Sequence, residues 1–128
     1  MVLVKQLSVM VENQRGALAG LCSKLAEKAV NILGLMVPDQ TGVAPIRLVV
    51  NNDDTARKVL EAMGLEFTEE DVLAVPVANR PGALGKLTRK LADHSLDVKY
   101  AYATIPKGVD KATVILAVSD PAAAAKIL

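Results

Sequence analysis

The chain has 128 residues, of which 52% are apolar and 23% are charged, a composition typical of one globular domain or of two minimal ones. Fifteen basic and fourteen acidic residues leave a formal net charge of +1, and only 2% of the residues are aromatic. Nucleic-acid binders carry a basic surplus, and single strands need stacking aromatics, so this composition argues against a nucleic-acid partner.

Cysteine content and hydropathy exclude further classes of protein. The single cysteine, Cys22, rules out an intrachain disulfide and a cysteine-rich zinc site, and we expect it to pack in the core. The sequence has no run of about eighteen apolar residues that could span a membrane. Its first residues, MVLVKQLSVMV, lack the apolar core and cleavage site of a signal peptide. We therefore expect a cytoplasmic protein with no membrane partner, no metal and no cofactor.

The first half of the chain predicts four strands and two helices. Apolar and polar residues alternate at its start, which indicates a strand, and leucines then recur at helical spacing. Asn52 or Asp53 is a suitable cap for a second helix, and Gly64 is a suitable end. The predicted elements are a strand at 3–11, a helix at 16–28, strands at 31–37 and 46–51, a helix at 53–63 and a short strand at 66–70.

The second half of the chain predicts the same elements with one missing. Strands are predicted at 72–77, 97–104 and 112–118, with a helix at 82–94 and another from Asp120. We therefore expect the second half to lack its last strand. An uncovered sheet edge pairs readily with another strand, so the first half or another chain should cover it, which favours association.

The two halves are an internal duplication. Shifting the sequence by 66 positions aligns ENQRGALAGL with ANRPGALGKL and gives nine identities over the 26 positions 11–36. Further on, the register slips by two, a change that a hairpin loop tolerates at low cost. Each copy follows the order β-α-β-β-α-β, apart from the missing strand. The pattern predicts an α+β protein of two tandem ferredoxin-like domains with antiparallel sheets, residues 1–70 and 71–128.

The repeated motif resembles that of the ACT domain family. The second copy carries Asn-x-Pro-Gly-x-Leu in full from Asn79 to Leu84, whereas the first copy has Arg15 where proline is usual. The resemblance covers the whole chain. It implies a regulatory module, not an enzyme, that binds a free amino acid at the interface between paired domains. It also implies a homodimer or larger assembly, and we expect any regulated metabolic enzyme to be a separate chain.

The resemblance places the ligand beside the strand-to-helix turn of one domain and the start of the second strand of its neighbour. The first N–H groups of a helix lack intrahelical acceptors, and with the helix dipole they favour a carboxylate. Glycine at such a turn lets the backbone bend tightly and leaves room for a ligand. The candidate residues are Asn13, Arg15, Gly16, Ala17, Leu18 and Asn31 in the first copy, and Asn79, Arg80, Gly82, Ala83, Leu84 and Asp97 in the second.

The two candidate sites differ in one polar residue. An asparagine amide both donates and accepts, which suits the carboxylate and ammonium groups of a zwitterion. Asn31 supplies such an amide in the first copy. Asp97 stands at the equivalent place in the second copy and could bind an ammonium group, but it would repel a carboxylate. The two sites therefore need not be equivalent, and one could be inactive.

Several candidate residues also have a simpler interpretation. Asn13 or Asn79 could cap its helix, and the two glycines could serve the turn alone. The two arginines of the motif could be solvated surface residues. Tyr100 and Tyr102 share one face of their strand and could either cover the sheet or line a pocket.

Two other functions compete with the amino-acid sensor. The chain could be a ligand-free regulatory or docking subunit of a separate amino-acid biosynthetic enzyme. It could also be an enzyme similar to acylphosphatase, whose strand-to-helix loop holds phosphate through an arginine, but the glycine-rich pattern around that arginine is absent. One histidine, His94, at a helix end and one cysteine on an apolar stripe do not suggest a catalytic pair. The amino-acid sensor is the function that we expect.

Overall fold

The computed structural model describes residues 2–12, 14–39 and 42–128. These residues divide into a first unit, Lys5–Glu70, and a second unit made of residues 2–4 and Asp71–Leu128. Within the described ranges there are six strands and four helices. They are β1 (Leu3–Glu12), α1 (Ala17–Glu27), β2 (Ile32–Met36), β3 (Val43–Val50), α2 (Asp53–Ala62), β4 (Phe67–Ala78), α3 (Ala83–Asp93), β5 (Val98–Ala103), β6 (Lys111–Val118) and α4 (Pro121–Ile127).

The first unit has an antiparallel sheet in the strand order β2-β3-β1. The register sets Leu7 opposite Leu48, and alternate residues of both strands join a buried cluster with α1 and α2. The N–H of Met10 donates to the carbonyl oxygen of Glu66 (2.9 Å), just before β4 begins. The asparagine cap predicted for α2 is confirmed at Asn52, whose Oδ1 accepts from the N–H of Thr55 (3.1 Å).

The second unit repeats this arrangement with the strand order β4-β6-β5. Leu73 lies opposite Leu116, and both are fully buried together with Leu91 of α3. Asp120 caps α4, because its Oδ1 accepts from the N–H of Ala123 (3.0 Å). The prediction of an α+β fold in which a ferredoxin-like pattern of antiparallel strands and helices occurs twice is confirmed.

The chain's own first residues cover β4 in the second unit. The N–H of Ala74 donates to the carbonyl oxygen of Val2 (2.6 Å), and Val2 and Leu3 pack against the second unit's core. Within the described residues no strand follows α4. Residues 2–4 take the place of such a strand beside β4, so the open edge that seemed to favour association is not open here.

Strand β4 is longer than expected. The sequence predicts one strand at 66–70 and another at 72–77, with a domain boundary between them. The structure has a single strand from Phe67 to Ala78, so the predicted boundary falls within it. Asp71 is exposed, and neither glycine nor proline stands near it, so the strand continues through.

The described ranges contain neither a membrane-spanning helix nor a cluster of metal-binding side chains. None of the helices there is long and apolar enough to cross a membrane. The same residues contain no group of three or more His, Cys, Asp or Glu side chains placed to hold a metal ion.

Candidate ligand-binding site

The two strand-to-helix turns have the same backbone geometry. Gly16 and Gly82 occupy the cap positions of α1 and α3 with φ of 86° and 88°, in the left-handed region that favours glycine. The N–H of Ala17 donates to Gln14 O (3.2 Å), and the N–H of Ala83 donates to Arg80 O (3.3 Å). The glycines are therefore required by the turn, which does not exclude a role beside a ligand.

Both helices begin without a side-chain cap among the described residues. In the part of the chain that the structure describes, no acceptor pairs with the N–H groups of Leu18 and Ala19, or with those of Leu84 and Gly85. Leu84 is 44% exposed, so its helix end faces solvent. Two adjacent free donors at the positive end of a helix dipole form a suitable place for a carboxylate.

Asn79 holds two loops together and does not cap α3. Its Nδ2 donates to the carbonyl oxygens of Val109 (2.8 Å) and Pro106 (3.4 Å). Its backbone N–H donates to the carbonyl oxygen of Asp110 (2.8 Å). The capping interpretation is therefore wrong for Asn79. Its partner in the repeat, Asn13, lies outside the described residues.

Asn31 and Asp97 form the same pair of hydrogen bonds just before β2 and β5, respectively. The N–H of Asn31 donates to Asn51 Oδ1 (2.8 Å), and Asn51 donates back to the carbonyl oxygen of Asn31 (3.1 Å). Asp97 and Ser119 exchange the same two bonds, each of 3.0 Å. These bonds use the backbone of Asn31 and Asp97, and both residues are exposed.

The structure separates the candidate residues within each unit. Asp97 follows the C-terminal end of α3, whereas Gly82 precedes its start, and the 11 residues of the helix span about 16 Å at 1.5 Å per residue. One unit cannot therefore bring Asp97 and its own helix start to the same small ligand. Any site that uses both needs a second domain.

The candidate residues of the second unit line two different cavities. Arg80 and Ala83 line a cavity of about 390 Å³, and Lys86 and Lys90 also line it. Leu84 lines the other, of about 510 Å³. Arg15, in the first unit, is exposed.

The larger cavity is an apolar groove between α3 and strand β5, and sequence reasoning missed most of it. The repeat held the signal, because Ala101 and Ala103 align with Leu35 and Val37 of the first copy. Polar groups contribute little, since the hydroxyl of Thr88 donates to the carbonyl oxygens of Leu84 and Gly85 within α3 (3.1 Å each). The lining residues are Leu84, Thr88, Val98, Ala101, Tyr102, Ala103, Ile105, Val114 and Leu116.

The structure also gives the positions of the tyrosines, the histidine and the cysteine that the sequence analysis considered. Tyr102 lines the groove and Tyr100 does not, although the register places both on one face of β5, opposite Ile115 and Ala117. His94 ends α3, where its Nδ1 donates to the carbonyl oxygen of Lys90 (2.8 Å). Cys22 is a half-buried free thiol on α1.

Comparison with known proteins identifies the family. A family model described as "ACT domain pair" matches residues 2–128. The chain belongs to the ACT domain family. A solved structure of a Bacteroides thetaiotaomicron protein is similar to this ACT domain pair, with a TM-score of 0.91 and 26% identity over 99% of this chain and 87% of that one. No curated protein sequence matches the chain.

Regulatory subunits share the same fold. The regulatory subunit of aspartate kinase from Thermus thermophilus superposes on this ACT domain pair with a TM-score of 0.70 and 17% identity, over 98% of this chain and 89% of that one. The Thermus flavus subunit gives 0.66 and 18%, over 99% and 88%. ACT domains are regulatory modules, and a regulatory, ligand-binding role fits this chain.

Proposed function

We propose that this ACT domain pair is a cytoplasmic sensor of a free amino acid and not itself an enzyme. The observation that carries the proposal is the pair of uncapped helix starts, each behind a glycine in the left-handed region. This helix start occurs twice, at equivalent positions of a duplicated domain. Membership of a family of regulatory modules supports the assignment.

The ligand's two charged groups have separate binding partners in this proposal. Its carboxylate accepts from the N–H groups of Leu84 and Gly85, or in the first copy from those of Leu18 and Ala19. Its ammonium group binds a side chain at the start of the second strand of a paired domain, Asn31 or Asp97 in the repeat. The distance of about 16 Å along α3 supports this division, because one unit does not supply both groups.

Pairing of domains between copies of the chain is part of the proposal. A homodimer supplies a second set of strand starts, and exposed apolar side chains on β2 and directly after it support association. Leu33 is 63% exposed, and Leu35 and Val37 are each 41% exposed. An edge strand with such side chains is a suitable surface for pairing.

The test is a thermal-shift screen of the purified protein against the twenty amino acids. A ligand present at about 100 times its dissociation constant should add roughly 2.7 kcal/mol to the free energy of unfolding. We expect one or two amino acids to raise the melting temperature by several degrees. A small ligand of this kind should bind with a dissociation constant of roughly micromolar to millimolar order.

Gly82→Val locates the site, and Gly64→Val is its control. Both glycines have positive φ, 88° and 71°, so valine strains the backbone in each case. Of these two glycines, only Gly82 lies at a helix start without a side-chain cap. We expect Gly82→Val to remove binding at the second copy's site and so reduce the ligand-induced shift, and Gly64→Val to keep the full shift. An unchanged shift in Gly82→Val would remove the site from this turn.

A ligand-free docking subunit of a separate biosynthetic enzyme is the second candidate. The exposure of Leu33, Leu35 and Val37 favours it as well. This candidate predicts a flat amino-acid screen together with a stable complex with one metabolic enzyme. Leu33→Ser should dissolve that complex and leave the melting temperature of the free protein almost unchanged.

A further inference from the structure

We propose that the second copy's site selects amino acids with a large apolar side chain, which lies in the groove between α3 and β5. The inference rests on the proposed function, because it names the ligand class for that same site. The cavity of about 510 Å³ falls in the range typical of small-molecule sites, which are mostly apolar with few polar groups.

Small residues line the strand side of the groove where the first copy has larger ones. Ala101 lies opposite Leu116 on the helix-facing side of the sheet, and Ala103 lies opposite Val114. In the first copy the position equivalent to Ala101 is Leu35, which lies opposite Leu48. Ala101 has three side-chain carbon atoms fewer than that leucine, so less apolar side chain stands on this face of the edge strand in the second copy.

The side of the groove that α3 forms is also more exposed to solvent than the equivalent part of the first unit. Leu84 is 44% exposed and lines the cavity, whereas its counterpart Leu18 packs against the first unit's core. Val98 and Ile105 of the same groove are 40% and 42% exposed. An apolar side chain in the groove would remove all three surfaces from water, which is the main source of affinity available here.

The position of the groove matches a ligand anchored at the helix start. Leu84 contributes its free N–H to the helix end and its side chain to the groove wall. A carboxylate on the N–H groups of Leu84 and Gly85 therefore places the ligand's side chain within reach of the groove. The hydroxyl proton of Thr88 is donated within α3, so this side chain has no donor left for a polar ligand side chain.

Calorimetric titration with graded amino acids tests the inference. Alanine, valine, leucine and phenylalanine vary apolar volume, and serine, aspartate and lysine provide polar comparisons. Each additional buried methylene should tighten binding by about fourfold, so affinity should rise steadily from alanine to leucine. Selective binding of a polar amino acid would overturn the inference and leave the amino-acid sensor intact, whereas no binding of any amino acid would overturn both.

Ala101→Leu restores the first copy's residue and should fill the groove. We expect the affinity for leucine to fall at least tenfold, while the weaker affinity for alanine changes less than about threefold, since one carbon needs little room. Ala92→Leu adds the same atoms on the exposed side of α3 and should change neither. An equal loss for all ligands, or no loss, would show that the groove does not hold the side chain. A melting curve of each ligand-free variant confirms that it is folded.

Discussion

The two copies of the domain share the backbone conformation at both ends of their first helix. They differ in how closely that helix packs against the core. In the first unit Leu21 is 1% exposed and Leu18 packs against the core. In the second unit Leu87 is only partly buried and Leu84 is 44% exposed. The comparison shows that the turn geometry persists where side-chain packing has diverged. Of these residues, Leu84 lines the groove where we place the ligand's side chain.

The shared conformation includes the helix ends. Ala29 and Ser95 follow α1 and α3 at equivalent positions, with φ of 57° and 58°. In both cases the next residue donates back into the helix, Val30 to Leu25 O (3.0 Å) and Leu96 to Leu91 O (3.0 Å). This is the Schellman ending, which usually carries glycine. Both copies keep it with a residue that the left-handed conformation does not favour.

The largest expected effect is the difference in stability lost when equivalent leucines of α1 and α3 are truncated. Leu21→Ala should lower the free energy of unfolding by about 2–5 kcal/mol, because it removes a fully buried leucine. Leu87→Ala, at the equivalent position, should cost about half as much since its side chain is already partly exposed. Urea unfolding of both variants measures the difference. Equal losses would contradict the looser packing of α3.

A second pair of substitutions should show no difference between the copies. Gly16→Ala and Gly82→Ala should each cost about 1–2 kcal/mol, because their φ values are nearly identical. No described atom lies within 4 Å of the place where a Cβ would stand at either position, so strain alone sets the cost. Thermal unfolding of both proteins checks the equality. A much larger loss at one glycine would mean that its turn has an additional neighbour.

Glycine at the two helix ends should stabilise the protein. Ala29→Gly and Ser95→Gly each relieve a non-glycine residue from the left-handed region, which should add about 0.5–1 kcal/mol to the free energy of unfolding. Differential scanning calorimetry would show the gain as a higher melting temperature. Loss of stability in either variant would show that the side chain contributes more than the strain costs.

The smallest expected effect depends on pH and concerns the second helix of each copy. Burial, and then the nearby carboxylate of Glu69, raise the pKa of Asp53 above its ordinary value of 3.8, while Arg57 opposes them. The folded state thus holds the proton more tightly than the unfolded state. This favours folding below pH 3.8 and is lost as the pH rises through the folded pKa.

Asp53→Asn therefore should be more stable than the parent protein at pH 7 and lose that advantage near pH 3.5. The equivalent residue of the second copy is Pro121, which carries no charge at the start of α4. Melting temperatures of the parent and the variant at intervals between pH 3.5 and 7 measure the trend. A difference that is constant with pH would show that the carboxylate is not responsible.

The sequence was most informative where local chemistry decides the structure. Helix α1 was predicted at 16–28 and occupies Ala17–Glu27, because a glycine turn begins it and the leucine spacing continues to its end. The cap at Asn52 followed from the same kind of signal. Strand β4 was divided wrongly, because the exposed Asp71 interrupts an apolar pattern without interrupting the strand.

The candidate site was only partly visible in the sequence. The motif pointed to the turns, but it could not show that Asn79 would tie loops together through Pro106 and Val109. The groove depends on Ala101 and Ala103, which have no polar group to attract notice. The alignment of the two copies shows the smaller side chains, but only the structure shows that they line a groove beside α3.

The place of residues 2–4 in the second unit affects how the protein acquires its structure. The bond between Val2 and Ala74 joins positions 72 residues apart, so the C-terminal domain contains a contact of high sequence separation. Such contacts slow folding, because a long loop must close before they form. Residues 2–4 thus complete a unit whose other residues all follow Glu70. Cutting the chain between Glu70 and Asp71 would leave the C-terminal piece without this segment, and a fluorophore attached near Val2 would report on the C-terminal domain.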